Sequence, residues 1–163
     1  MAVVDLLDII DALPKGLSLA GLDLGEKTIG VAVSDTSFMI STAAETLRKT
    51  KFTQDAAALF ALMASRSVGG LVIGLPVNMD GTEGPRCQSV RAFARNLLRL
   101  REVPIAFWDE RLSTAAVNRM LIEEGDLSRS KRAQVVDRTA AAWILQGALD
   151  RLRSAKRDPT RAL

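Results

Sequence analysis

The sequence contains no histidine, no tyrosine and a single cysteine in 163 residues. Without histidine there is no Ser-His or Cys-His pair and no imidazole acid or base. The lone Cys87 makes neither an internal disulfide nor a cysteine-rich zinc site. Long apolar runs are missing too: none approaches the ~20 residues of a membrane-spanning helix, so no membrane partner is expected. Catalysis is left to carboxylates, lysine, arginine, hydroxyls, Cys87 or a bound group. Carboxylates holding a hard cation such as Mg²⁺ form the chemistry least restricted by these absences.

What is present fits one globular domain. The length suits a single core, and 48% hydrophobic with 25% charged residues is ordinary for a soluble fold. The N-terminus, MAVVDLLDIIDALPKG, is apolar but interrupted by Asp5, Asp8 and Asp11. A secretory signal has a basic start and an unbroken apolar stretch, so a cytoplasmic address is expected. Net charge is only +3, but it is unevenly spread. Arg86 to Arg101 holds five arginines and no acid, Arg129 to Arg138 four basic residues against Asp137, and Arg151 to Leu163 five against Asp158. Such a second half suits a polyanionic partner; a solvated helix face plus a loose tail is the plainer alternative for any one cluster.

The hydrophobic pattern predicts an order of elements. Residues 3–12 read as a short amphipathic helix closed by Pro14-Lys15-Gly16. LSLAGLDLG and IGVAVSD read as two strands joined at Gly25-Glu26-Lys27, with a third over Phe38 to Leu47. An alanine-rich helix over 52–66 and the buried strand GGLVIGLP follow. A loop over 77–85 leads into a helix from Arg86 to Glu102, and PIAFW at 104–108 is another strand. Ser113 caps a helix to Glu124, 125–130 reads as a mobile linker, and the last helix spans Lys131 to Arg153. The expected fold class is α/β: a mixed five-stranded sheet in the order β-β-β-α-β-α-β-α, with helices on both faces and parallel pairing after residue 50. The expected division is a helical extension over 1–16, a domain over 17–153 and a basic flexible tail over 154–163.

Three acidic positions stand out. Asp23 lies inside an apolar strand, Asp109-Glu110 directly follows a buried strand, and Asp137 sits in the apolar helix QVVDRTAAAWILQGAL. Charged groups are rarely buried unless paired or bound to metal, and open α/β sheets gather ligands at the carboxyl ends of parallel strands. Each position also has a plainer reading: a turn acid, a helix-entry ion pair with Arg111, and a surface acid near Lys131, Arg132 and Arg138. Grouped, they repel one another unless a cation intervenes. Two divalent ions ~3.5–4 Å apart relieve that repulsion and hydrolyse a phosphodiester without histidine, and carboxylate oxygens suit Mg²⁺ or Mn²⁺.

The loop Gly74-Leu75-Pro76-Val77-Asn78-Met79-Asp80-Gly81-Thr82-Glu83-Gly84 lacks the closing Gly-Lys-Ser/Thr of a phosphate-binding P-loop. It still offers backbone N–H groups at a helix start. Asn78 is suited either to a phosphate or to closing the turn, and Asp80 and Glu83 to turn and cap roles. Arg91, Arg95 and Arg99 recur every four residues and share one helix face, beyond Arg86; such a stripe can follow a nucleic-acid backbone. Lys27, Arg111, Lys131 and Arg132 complete the candidate nucleic-acid contacts. Cys87 beside Arg86 has a position that can lower a thiol pKa, but without histidine catalysis by it is not expected. Trp108 and Trp143 are expected in the core.

Four segments together, GLDLGEKTIGVAVSD, VIGLPVNMDGTEGPRCQSVRAFARNL, FWDERLSTAAVNRML and KRAQVVDRTAAAWILQ, resemble the YqgF/RuvX family over residues 17–152. That family comprises bacterial RNase H-like proteins described as pre-16S rRNA nucleases or Holliday-junction-resolvase-like proteins. The loop GLPxNMDGTEG and the DERLST segment are specific; the DxG hairpin is shared with actin-like and sugar-kinase ATPases. The resemblance implies an RNase H-like fold and a metal-dependent nuclease, a hydrolase acting on the 5′ end of pre-16S rRNA or on ribosomal particles. It matches Asp23, Glu110 and Asp137 to the family's acids, with Asp109 beside them as a further possible ligand. Glu26 departs from the small residue usual after the hairpin glycine and is expected to face solvent. The N-terminal helix extends beyond the family's usual start.

Alternative readings share the fold. One makes DNA junctions the substrate, and another makes the chain a non-catalytic RNA-binding or assembly factor. An actin-like ATPase needs a second domain for which 163 residues leave no room.

Overall fold

The structure is a computed structural model that describes residues 3–112 and 129–157, with the side chains of the second stretch described from 139 to 156. A five-stranded sheet organises it in the order β3-β2-β1-β4-β5. The strands are β1 (Ser18–Leu24), β2 (Thr28–Ser34), β3 (Ser41–Arg48), β4 (Val68–Leu75) and β5 (Ile105–Asp109). β1 and β2, and β2 and β3, run antiparallel; β1 with β4 and β4 with β5 run parallel. The helices are α1 (Ile9–Ala12), α2 (Phe52–Ser65), α3 (Pro85–Leu100) and α4 (Arg129–Arg157). The mixed sheet with two-sided helical cover is the α/β architecture expected from the sequence.

Burial follows from strand position. β1 lies in the middle of the sheet and all seven of its residues are buried, which is why SLAGLDL reads as a continuous apolar run rather than an alternating one. β3 is an edge strand with no buried residue, and it carries Thr, Glu and Arg accordingly. On one face, Leu22, Ile73 and Ile105 pack with Leu59 of α2 and Val90, Ala94 and Leu97 of α3. On the other, Leu19, Val72, Ala106 and Trp108 pack with Ala141, Ile144, Leu145, Ala148 and Leu149 of α4. The α4 residues recur at three- and four-residue spacing, so one stripe of the helix meets the sheet.

Glycines let α4 come close. A Cβ on Gly21 of β1 would lie 2.7 Å from Leu145 Cβ and 2.9 Å from the Ala141 carbonyl oxygen, and one on Gly74 of β4 would lie 2.5 Å from Ile144 Cδ1. Gly147 returns the favour on the helix side, where a Cβ would press 2.9 Å from the Trp108 ring. The helix axis is thereby held near the middle strands.

Several boundaries differ from the expectation. Helix does not begin at residue 3: Val4 N–H donates to the Ile105 carbonyl at 2.9 Å, so the chain first lines the open edge of β5. Only then does a 3₁₀ turn over Leu6–Asp8, capped by the Asp5 carboxylate, lead into α1. β3 starts at Ser41 rather than Phe38. The Asp35 carboxylate accepts the Met39 and Ile40 N–H groups, and Phe38 takes φ +57°, which closes a turn instead of extending a strand. The last helix starts at Arg129 and continues to Arg157, past the expected end at Arg153. Trp143 is 40% exposed, not a core residue, because it lies off the apolar stripe; Trp108 is buried as expected. The helix expected from Ser113 and most of the expected linker lie outside the described residues.

Candidate active site and nucleic-acid interface

Asp23 is 3% exposed and stands at the carboxyl end of β1. Its neighbours Leu22 and Leu24 face α2 and α3, so strand alternation turns Asp23 toward the α4 face. The parallel register pairs Leu22 with Ile73, and one step further places Asp23 beside Gly74. Glu110 follows β5 directly, and its Oε1 lies 2.8 Å from where a Gly74 Cβ would be. Glu110 therefore leans over Gly74 on the α4 face, at the strand position next to Asp23. The absent side chain at position 74 makes the space for it. Both carboxylates are partnered within the fold.

Asp109 goes elsewhere. It shares strand parity with Ile105 and Phe107, which pack on the α3 side. Arg111 holds it as a fork: Nη2 donates to Oδ2 at 2.7 Å, Nε lies 3.1 Å from both oxygens, and the Arg111 N–H donates to Oδ1 at 2.9 Å. The guanidinium keeps the Asp109 carboxyl below the ordinary carboxylate range against an opposing burial effect. The structure thus brings Asp23 and Glu110 together and separates Asp109 from them. Asp137 lies in α4, four residues before Ala141; its side chain, like those of Lys131 and Arg132, lies outside the described residues.

These donors bear on a metal only in part. Two carboxylates at adjacent strand ends offer hard oxygen donors, the type that suits Mg²⁺ or Mn²⁺. Among the described residues no group of three or more acidic, cysteine or histidine side chains is placed to hold an ion. A complete donor set therefore needs groups beyond Asp23 and Glu110.

The loop after β4 is self-bonded. Asn78 N–H donates to the Thr82 carbonyl at 2.9 Å, and the Asn78 side-chain amide donates to Thr82 Oγ1 at 3.0 Å. Thr82 N–H and Oγ1 both donate to the Asp80 carboxylate, and those bonds lower its pKa. Gly81 takes φ +89°, a left-handed conformation that favours glycine. Asn78 thus closes the turn. Glu83 grips Arg91, with Nε and Nη2 at 2.6 and 2.8 Å, and the guanidinium lies over the Phe107 ring. The arginine stripe is therefore divided. Arg91 ties the loop to α3, whereas Arg86, Arg95 and Arg99 are exposed.

Cys87 is fully buried in the first turn of α3. Burial, with a smaller contribution from Glu83, pushes its thiol pKa up, which removes it from nucleophilic chemistry. Lys27 is exposed in the β1–β2 turn, as is Glu26. One group escaped the sequence reading: the run Arg48-Lys49-Thr50-Lys51 ends β3 at the same end of the sheet. Lys49 N–H donates to the Lys27 carbonyl, and its ammonium donates to the Gly25 carbonyl at 2.6 Å, fastening this run to the β1–β2 turn. Three basic residues in four were the available signal.

Comparison with known proteins places this geometry. The family model described as "RuvX: Holliday junction resolvase" matches residues 17–151. A protein of Phenylobacterium zucineum named "Putative pre-16S rRNA nuclease" is 70% identical over 155 residues, covering 94% of this chain and 99% of the relative. A protein of Rhodospirillum rubrum with the same name is 59% identical over 152 residues, covering 93% and 94%. Among solved structures, one described as "T. thermophilus RuvC in complex with Holliday junction substrate" aligns with a TM-score of 0.51 at 10% identity, covering 85% of this chain and 97% of that one. That likeness concerns the fold, which is RNase H-like.

Proposed function

The chain belongs to the RuvX family, and from that membership we propose that it is a divalent-metal-dependent nuclease, a hydrolase of phosphodiester bonds that processes the 5′ end of pre-16S rRNA in the cytoplasm. The observation that carries the reading is the meeting of Asp23 and Glu110 on one face, at the carboxyl ends of strands flanking Gly74. The names of the 70% and 59% identical relatives support the substrate.

Asp23, Glu110 and Asp137 are the proposed catalytic and metal-holding residues. Asp23 and Glu110 supply oxygens from rigid strand ends, and Asp137 supplies a third from α4. Carboxylate oxygens at these two strand ends are the hard donors that suit a divalent cation. A bound Mg²⁺ or Mn²⁺ supplies Lewis acidity at the phosphoryl group and lowers the pKa of water. No side chain of this sequence titrates near neutrality when unperturbed, so proton removal by an imidazole has no counterpart here. Asp109, held by Arg111, keeps the segment after β5 in place and so orients Glu110. Exposed Lys27, Arg86, Arg95 and Arg99 draw the nucleic-acid backbone to the site.

Cleavage of a pre-16S rRNA fragment by the purified chain tests this, with Mg²⁺, with Mn²⁺ and with chelator. Asp23→Asn and Glu110→Gln are expected to slow cleavage on the order of a thousandfold, or ~4 kcal/mol of barrier, while binding persists. Wild-type rates in Asp23→Asn overturn the site. The family description also names a junction resolvase; faster cutting of a four-way DNA junction than of the RNA in the same assay transfers the substrate to DNA.

A further inference from the structure

On the face of the sheet opposite the two acids lies a cavity of about 500 Å³. Its wall begins at Leu24, the residue after Asp23, and continues over Lys49, Phe52, Arg86, Phe93 and Asn96. Gly25 and Glu26 of the β1–β2 turn, which follows Asp23, line it as well. Phe52 and Phe93 are half-buried and packed edge to face, with ring centroids 5.6 Å apart. They present fixed aromatic surface to the cavity. The rim is basic: Lys49 and Arg86 line it, Lys27, Arg48 and Lys51 are exposed in the adjoining segments, and Glu26 is the acid in its lining. Asn96 adds an amide able both to donate and to accept.

Aromatic walls, an amide and a cationic rim match one chemical class: a nucleotide of a single strand, with its base on the rings and its phosphate at the rim. A duplex cannot use such a cavity, because its bases are stacked and paired. We propose that this cavity is a strand-anchoring subsite that takes one unpaired nucleotide of the substrate next to the phosphate at Asp23 and Glu110. The strand passes over Gly25–Lys27 from one sheet face to the other, and the phosphate of the anchored nucleotide lies between Arg86 and Lys49. The site thereby selects cleavage where a single-stranded segment abuts structured nucleic acid. This inference rests on the nuclease reading for its relation to cleavage, and on the cavity alone for binding.

The test uses the full chain without metal, so that no cleavage occurs, and a fluorescein-labelled RNA hexamer. The same hexamer annealed to its complement serves as the duplex probe. Ser89 lines the cavity from an exposed position on α3, so Ser89→Trp fills it without entering the core; Arg86→Gln removes the rim charge. Ser89→Trp is expected to weaken hexamer binding about tenfold and to leave duplex binding within twofold, whereas Arg86→Gln, whose charge also meets duplex phosphates, is expected to weaken both. A 2-aminopurine in the hexamer should change its emission on binding to wild type and not to Ser89→Trp. Hexamer affinities equal to wild type in both variants, with folding verified by circular dichroism, overturn the proposal. The two readings separate cleanly. Hexamer binding lost in the variants, with no cleavage by wild type under any metal, keeps the subsite and removes the nuclease. Metal-dependent cleavage with an unchanged KM in Ser89→Trp does the opposite.

Discussion

Replacing Gly21 by alanine tests whether the seat of α4 governs both stability and activity. The added Cβ would lie 2.7 Å from Leu145 Cβ, 2.9 Å from the Ala141 carbonyl oxygen and 3.4 Å from Leu145 Cα. Ordinary van der Waals contact starts near 3.4 Å, so the helix must withdraw from β1 by roughly 0.5–1 Å. None of the three atoms is the end of a flexible side chain, and rotamer changes cannot relieve the overlap. Overpacking of this kind costs about 1–3 kcal/mol; alanine returns ~0.4–1 kcal/mol by restricting the unfolded chain. With rigid neighbours the net loss falls near ~2 kcal/mol, or a Tm lower by about 4–8 °C for a chain of this size. Cleavage should fall as well, since the displaced segment of α4 leads into Asp137. Gly74→Ala is the informative partner. There the overlapping atoms are Ile144 Cδ1 and Glu110 Oε1, both ends of side chains that can swing away. Stability should fall less than in Gly21→Ala, and cleavage more, because Glu110 is the group pushed aside. Calorimetric scans and rRNA-fragment cleavage read both effects. A Gly21→Ala protein as stable as wild type refutes the packing argument. A fully active Gly74→Ala protein shows that Glu110 does not work from above Gly74.

Two further expectations concern titratable groups. Asp109 has its folded pKa depressed by Arg111, so it contributes stability at pH values above the unfolded carboxylate pKa and loses that contribution as pH falls through the folded one. Urea unfolding of wild type and Arg111→Gln should therefore differ by a constant amount near neutrality, and the curves should converge in acid; a gap that widens in acid contradicts the assignment. Cys87, buried with a raised thiol pKa, should react with a disulfide reagent such as DTNB only after denaturation. Rapid labelling of the native chain would show that the first turn of α3 opens.

The reach of sequence reading can be traced residue by residue. The five strands and their succession along the chain followed from pattern because each physical cause is local: apolar runs for the doubly covered β1 and β4, turn residues at Gly25–Lys27, and a three- to four-residue period in α3 and α4. Asp23 was conspicuous because a charge in an apolar strand is costly in any fold. Asp109 and Glu110, by contrast, were not told apart by pattern, and only the family resemblance favoured Glu110. Strand alternation sent one toward Arg111 and the other over Gly74, and that outcome depends on which face β5 presents to α4. The arginine stripe looked uniform at four-residue spacing until the loop after β4 delivered Glu83 to Arg91. Trp143 sat in an apolar segment but fell outside the stripe that meets the sheet.

The absence of histidine and of a cysteine pair was a matter of composition, and it narrowed the chemistry before any folding was considered. The amphipathic periods determined how many layers had to form. What only the tertiary structure decided was adjacency: which carboxylates share a face, which cation is already taken, and which rings wall a cavity beside Leu24. Those depend on contacts between residues far apart in the chain, at Gly21 with Leu145, Gly74 with Glu110 and Phe52 with Phe93. No local pattern encodes such pairs, because each exists only once helix and sheet have docked.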